Sequence, residues 1–153
     1  MNKLFFHAFF ACALVLVSAG TRADEAGASA LFRQINVSTG TVIALGQPFN
    51  PAGLAVSVSD GVYSLRPGKF AGAKELLVMV SSDGRVSAMQ FIYEKDLPFE
   101  DVVARYRTRF GAPHQMDGAA EDVGVYWEDG HTRFEILRPT ASAQAVSSRL
   151  IEQ

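Results

Sequence analysis

The sequence predicts an α+β fold: an antiparallel sheet of about six strands in three hairpins, with two or three helices packed on it. Three observations carry that expectation. The pairs Asp60-Gly61, Asp83-Gly84 and Asp129-Gly130 each separate two stretches rich in β-branched and aromatic residues, as in a hairpin. Phe99, Val102, Val103, Tyr106 and Phe110 recur at helical spacing and share one stripe. Strands and helices do not alternate one for one, which argues against a parallel sheet.

The N-terminus has the three parts of a secretory signal peptide: Lys3, the apolar run Leu4 to Val17, and the small, polar stretch Ser18 to Ala23, with cleavage expected after Ala23. Fourteen residues fall short of the about 20 that a spanning helix needs, so no stable membrane anchor is expected after cleavage. Cys12, the only cysteine, lies inside the apolar run and not at the start of a mature chain, which argues against lipid attachment. The processed chain then lacks cysteine, excluding disulfides and thiolate chemistry, and the expected location is the periplasm. Residues 24–30 read as a flexible start and residues 31–153 as a single domain large enough to bury its own core. Once Lys3 and Arg22 leave with the signal, 12 dispersed basic side chains face 16 acidic ones, a poor match to nucleic acid or an anionic membrane.

In chain order, Leu31, Phe32 and Ile35 fit one helical face. A short helix is expected from Ser38, as cap, to Gly46, with Pro48 forbidding continuation. A hairpin about Asp60-Gly61 would put Val58 opposite Tyr63 and Val56 opposite Leu65 on one face with Leu54. The next hairpin, Glu75 to Ser81 and Arg85 to Tyr93, is apolar on both faces and therefore central. The strongest helix starts at Asp96 or Leu97, has Pro98 in its first turn and stops at Gly111 and Pro113. Its Glu100 and Asp101, then Arg105, Arg107 and Arg109, suit the helix dipole, so the arginine run reads as a solvated face. Residues 117–122 read as a loop. The last hairpin pairs Trp127 with Thr132, Val125 with Phe134 and Val123 with Ile136, and Ala143, Val146 and Leu150 suggest a C-terminal helix.

Thr41 to Pro48 and Val103 to Pro113 echo each other, each ending in an apolar residue and Gly-x-Pro before strands. This resembles the helix, Gly-x-Pro, strand unit of small exported bacterial proteins such as β-lactamase inhibitor proteins and small outer-membrane assembly lipoproteins. The stretch Trp127 to Phe134 looks more like periplasmic proteins of unassigned activity. The resemblance implies a protein-binding scaffold and transfers no site residue.

Chemistry-bearing motifs are scarce. The processed chain keeps only His114 and His131, with no nucleophile elbow, phosphate loop or dinucleotide fingerprint, so no catalytic residue, metal site or cofactor is expected. One constellation stands out. The outward face of the last hairpin carries Tyr126, Glu128, His131 and Arg133, an aromatic and mixed-charge set of the kind enriched at recognition surfaces. The leading expectation is therefore a non-catalytic periplasmic module (inhibitor, immunity-type or envelope-assembly partner) that binds another envelope or secreted protein, with the oligomeric state open. An acid/base hydrolase using Glu128, His131 or Tyr126, and a small-ligand or lipid carrier, are the alternatives. Mass spectrometry of the exported protein is expected to find a mature N-terminus at Asp24; a lipid on Cys12 would refute this processing.

Overall fold

Alternation of apolar and polar side chains, the period of a strand, governs far more of this chain than helical spacing does. The computed structural model describes residues 30–37, 40–67, 72–116 and 123–153. The expected signal peptide, nearly all of the expected flexible start, the Ser38 cap and the loop at 117–122 lie outside these residues. The described strands are β1 (Gln34–Asn36), β2 (Val42–Ala44), β3 (Val56–Ser59), β4 (Val62–Leu65), β5 (Ala73–Val80) and β6 (Val86–Tyr93). After the helix α1 (Phe99–Phe110) come β7 (His114–Gln115), β8 (Gly124–Glu128), β9 (Thr132–Leu137) and β10 (Ser147–Glu152). β1 and β2 pair with each other; the other eight form one antiparallel sheet in the order β3-β4-β5-β6-β10-β9-β8-β7.

The α+β expectation of six strands under two or three helices is thus overturned: the fold is mostly β, with ten strands and one helix among the described residues. Each lost helix has a local reason. Around Ile35 and Ile43, side chains alternate exposed and buried, and these two residues face each other across a short antiparallel ladder. The β-branched run Thr41-Val42-Ile43 favours that extended form over a helix. The echo between residues 41–48 and 103–113 is consequently not a structural repeat. At the C-terminus, Val146, Ser148 and Leu150 all point inward in an extended chain, and β10 fills the gap between β6 and β9.

α1 runs as its stripe predicts, with Phe99, Val102, Val103, Tyr106 and Phe110 buried. It lies on one side of the sheet, over Phe134 of β9 and Trp127 of β8. Phe32, leading into β1, packs on the same side against Phe91, Tyr106, Phe110 and Phe134 with ring centroids 5.3–6.5 Å apart. Met89, Phe91, Leu76, Val78, Ile136 and Leu150 complete this core and are fully buried. Their strand neighbours face the other way: Val62, Leu77, Met79, Ala88 and Ile92 share the opposite face and are only half-buried. No described helix or strand packs over them.

Two hairpin registers differ from the expected ones. In β3–β4 an irregularity between Ser57 and Ser59 sets Ser57 opposite Tyr63 and Val56 opposite Ser64. One extra residue moves Val56 to the opposite face, and Val56 and Val58 end 73% and 60% exposed. In the last hairpin Trp127 pairs with Phe134, Val125 with Ile136 and Glu128 with Arg133. The shift is by two, so the faces stay as expected, while Val123 falls outside the strand. The cause is a longer loop: Asp129 Oδ1 accepts the N–H groups of His131 and Thr132, and Oδ2 accepts that of Leu31. Gly124 is required where β8 meets β9, because a Cβ there would lie 2.1 Å from the Ile136 carbonyl oxygen.

Buried polar groups are few and mostly paired. The hydroxyls of Tyr106, Tyr93 and Ser148 form a chain with spacings of 3.1 and 2.9 Å between helix, β6 and β10. Burial raises the pKa of both tyrosines, so they stay neutral and serve as hydrogen-bonding groups. Trp127 is buried against Tyr106, Phe110 and Phe134, and its indole N–H donates to the Gly111 carbonyl at 3.0 Å.

Trp127→Ala is expected to cost about 3–5 kcal/mol in denaturant unfolding, and a loss below about 1 kcal/mol would mean that the ring lies outside the core. Asp129 titrates below its ordinary 3.8: partial desolvation, which raises it, is outweighed by the three backbone N–H donors and by His131. Because the folded state holds the charged form, this contribution is present above the ordinary carboxylate pKa and is lost as pH falls through the lower folded-state value. Asp129→Ala is therefore expected to destabilise by about 1–2 kcal/mol at pH 7, with the gap from wild type narrowing on acidification below about pH 4. An unchanged gap in acid would show that the charge contributes nothing.

Candidate functional site

The face of the sheet opposite α1 takes every second side chain of each strand, and at the β7–β8–β9–β10 end those side chains form a connected cluster. Tyr126 of β8 is flanked from both neighbouring strands. His114 of β7, its ladder partner, stacks on it with ring centroids 5.0 Å apart. From β9 the Arg133 guanidinium lies over its ring, 3.9 Å from the centroid, in cation–π geometry.

Glu135, two residues along β9, braces the arginine. Its Oε1 is 2.8 Å from Arg133 Nε, an ion pair too bent to count as a hydrogen bond. Its Oε2 accepts bonds from Arg149 of β10, at 2.8 Å from Nη2 and 3.2 Å from Nε. The carboxylate is only 7% exposed whereas the two arginine side chains are 29% and 36% exposed. A carboxylate this buried needs pairing, and cross-strand alternation puts both cations on its face. The result is two guanidinium groups in fixed positions whose outer edges reach the surface beside an aromatic ring.

Of the four expected site residues, the structure brings Tyr126 and Arg133 into direct contact. Glu128 is exposed opposite Arg133 in the ladder and is a neighbour of the cluster. The register expected from Trp127 opposite Thr132 would set Glu128 opposite His131, and that pairing does not form. His131 sits in the turn, exposed, with its backbone N–H on Asp129, and is separate from the cluster. Three members were missed in the sequence. Glu135 shares the alternation of Arg133 and was within reach of the pattern, whereas His114 and Arg149 depend on strand neighbours that local periodicity does not reveal.

Catalytic geometry would need acid–base groups around a common cavity. Glu128 lines a small recess of about 80 Å³ with His114 and Asp129, and neither Tyr126 nor His131 lines it. Asp129 there is held in its charged form, unsuited to donating a proton near neutral pH. Among the described residues no three His, Cys, Asp or Glu side chains are placed to hold a metal ion together. The cluster consists of two braced guanidinium groups beside a tyrosine ring flanked by His114 and Arg133, with Leu137 and Ile151 on the same face. Comparison with protein families, curated proteins and solved structures finds no match to the chain.

Proposed function

We propose that this chain is an exported, non-catalytic protein-binding module of the periplasm, an inhibitor, immunity-type or envelope-assembly partner, and that it binds through the uncovered face of its eight-stranded sheet. The observation that carries this reading is the braced pair Tyr126 and Arg133. Aromatic and arginine side chains supply most of the binding energy at protein interfaces when they are held in place beforehand. Here the guanidinium is fixed from two sides, by the ring and by Glu135, so docking costs little further side-chain entropy. Half-buried Leu77, Met79 and Ile92 lie on the same face, an apolar area that the polar cluster borders as a polar rim borders the apolar centre of an interface.

A photo-crosslinker at Leu137, beside the cluster, tests this in exporting cells. It is expected to give a discrete adduct with one partner, whereas a crosslinker at Thr108, exposed on the helix side, should give none. Tyr126→Ala and Arg133→Lys should each weaken capture by at least about fivefold, since both break the aromatic–guanidinium contact. Lysine keeps the charge beside Glu135 and so separates binding from folding. Equal adducts from both sides, or capture unaffected by either substitution, would refute the proposal.

A further inference from the structure

On the covered side of the sheet, between β2 and the segment from Gln47 to Leu54, lies a cleft of about 390 Å³. Val42, Ile43 and Ala44 line it from β2, Phe49 and Leu54 from the facing segment, and Val86 from the start of β6. Both walls are fixed by backbone bonds. β2 is held along its length by β1. The facing segment is tied to the sheet by Gly46 N–H to Val86 O at 2.8 Å, Val86 N–H to Gln47 O at 3.0 Å and Phe49 N–H to Gly84 O at 3.0 Å. The Phe49 ring leans on Tyr63 with centroids 5.4 Å apart. The cleft therefore exists before any ligand arrives, which removes an ordering cost from binding.

Its volume falls within the about 300–1,000 Å³ of small-molecule sites, and apolar walls with a few polar groups are the usual lining of such sites. The polar residues of the lining include Gln34, Gln47 and Asn50, whose Oδ1 already accepts the Ala52 N–H at 3.1 Å. Among the described residues no ionisable side chain lines the cleft, although the chain carries 14 basic and 16 acidic residues. Four other clefts each contain at least one, such as Arg66, Lys74 and Glu75 in the 430 Å³ depression beside β4. An apolar wall penalises an unpaired charge on a ligand, so this lining selects against ions. Val42, 52% exposed, gives the mouth an apolar rim that an occupant would cover.

The geometry points to a binding site for an uncharged small molecule with an apolar body and one or two hydrogen-bonding groups that the Gln34, Gln47 and Asn50 amides meet. It lies on the opposite side of the sheet from Tyr126 and Arg133, so it stands or falls independently of the protein-binding face. The uncharged dye N-phenyl-1-naphthylamine, which brightens in apolar surroundings, is the probe. On the full chain it is expected to saturate with a Kd of about 1–100 µM. Ala44→Trp, which fills the cleft, should weaken binding at least about tenfold, and Tyr126→Ala should leave it unchanged. Thermal unfolding verifies that the filled variant is folded; if it is not, Val42→Lys at the exposed mouth carries the same expectation. No saturation below about 1 mM, or full-strength binding by the folded variant, overturns the site. Equal affinity for the anionic 1-anilinonaphthalene-8-sulfonate overturns the preference for an uncharged ligand.

Discussion

The insertion of β10 between β6 and β9 is the constraint on which the rest of the structure depends. The last strand of the chain pairs along one side with Ala88 to Ile92 and along the other with Thr132 to Leu137. Without it the sheet would divide into a β3–β6 half and a β7–β9 half, each with a newly open edge. Ser148 sits at that seam, fully buried, and the Tyr93 hydroxyl bonds it from β6 while also meeting Tyr106 of α1. One buried hydroxyl chain thus links the two halves and the helix that covers them. The β10–β6 pairing joins residues far apart in sequence, so loop-closure entropy must be met before it contributes.

Completing the sheet also creates its two unlike faces. Towards α1, rings from Phe32, Phe91, Tyr106, Phe110, Trp127 and Phe134 pack into one core. On the far side β10 delivers Arg149 to Glu135, and the same carboxylate positions Arg133 over Tyr126. Removing either arginine would leave a buried carboxylate short of a partner, a larger penalty than the pair's net stabilisation. The arginines are therefore tied to stability through Glu135, and under the proposed function they also serve recognition through their partly exposed edges. This dual role is why the conservative lysine, and not alanine, separates the two at position 133.

Much of this was legible locally and the remainder was not. α1 could be read to within a few residues at each end, because Pro98 and Gly111 bracket five apolar residues at an unambiguous spacing. The faces of the last hairpin were also legible, and a register error of two left them intact because strand periodicity is two. β10 was missed for a specific reason. Val146 and Leu150 are four residues apart, which suits a helical face and a strand face alike, and buried Ser148 between them hides the strand period. β1 and β2 are three residues each, too short for any period to register. The candidate site divides the same way: Tyr126, Arg133 and Glu135 lie on one readable hairpin, while Arg149 and His114 join it through neighbours set by the whole sheet.

The central claim, that one sheet face is sealed and the other open to solvent or a partner, is tested most directly by methionine oxidation on the full chain. Met79 of β5 lies half-buried on the open face, and Met89, its near neighbour across the ladder on β6, is fully buried beneath the core. Thioether oxidation follows exposure, so mild peroxide read by peptide mass spectrometry should convert Met79 while the protein stays folded and Met89 stays reduced. Equal protection of the two methionines would mean that the open face is covered within the chain itself and would contradict the account.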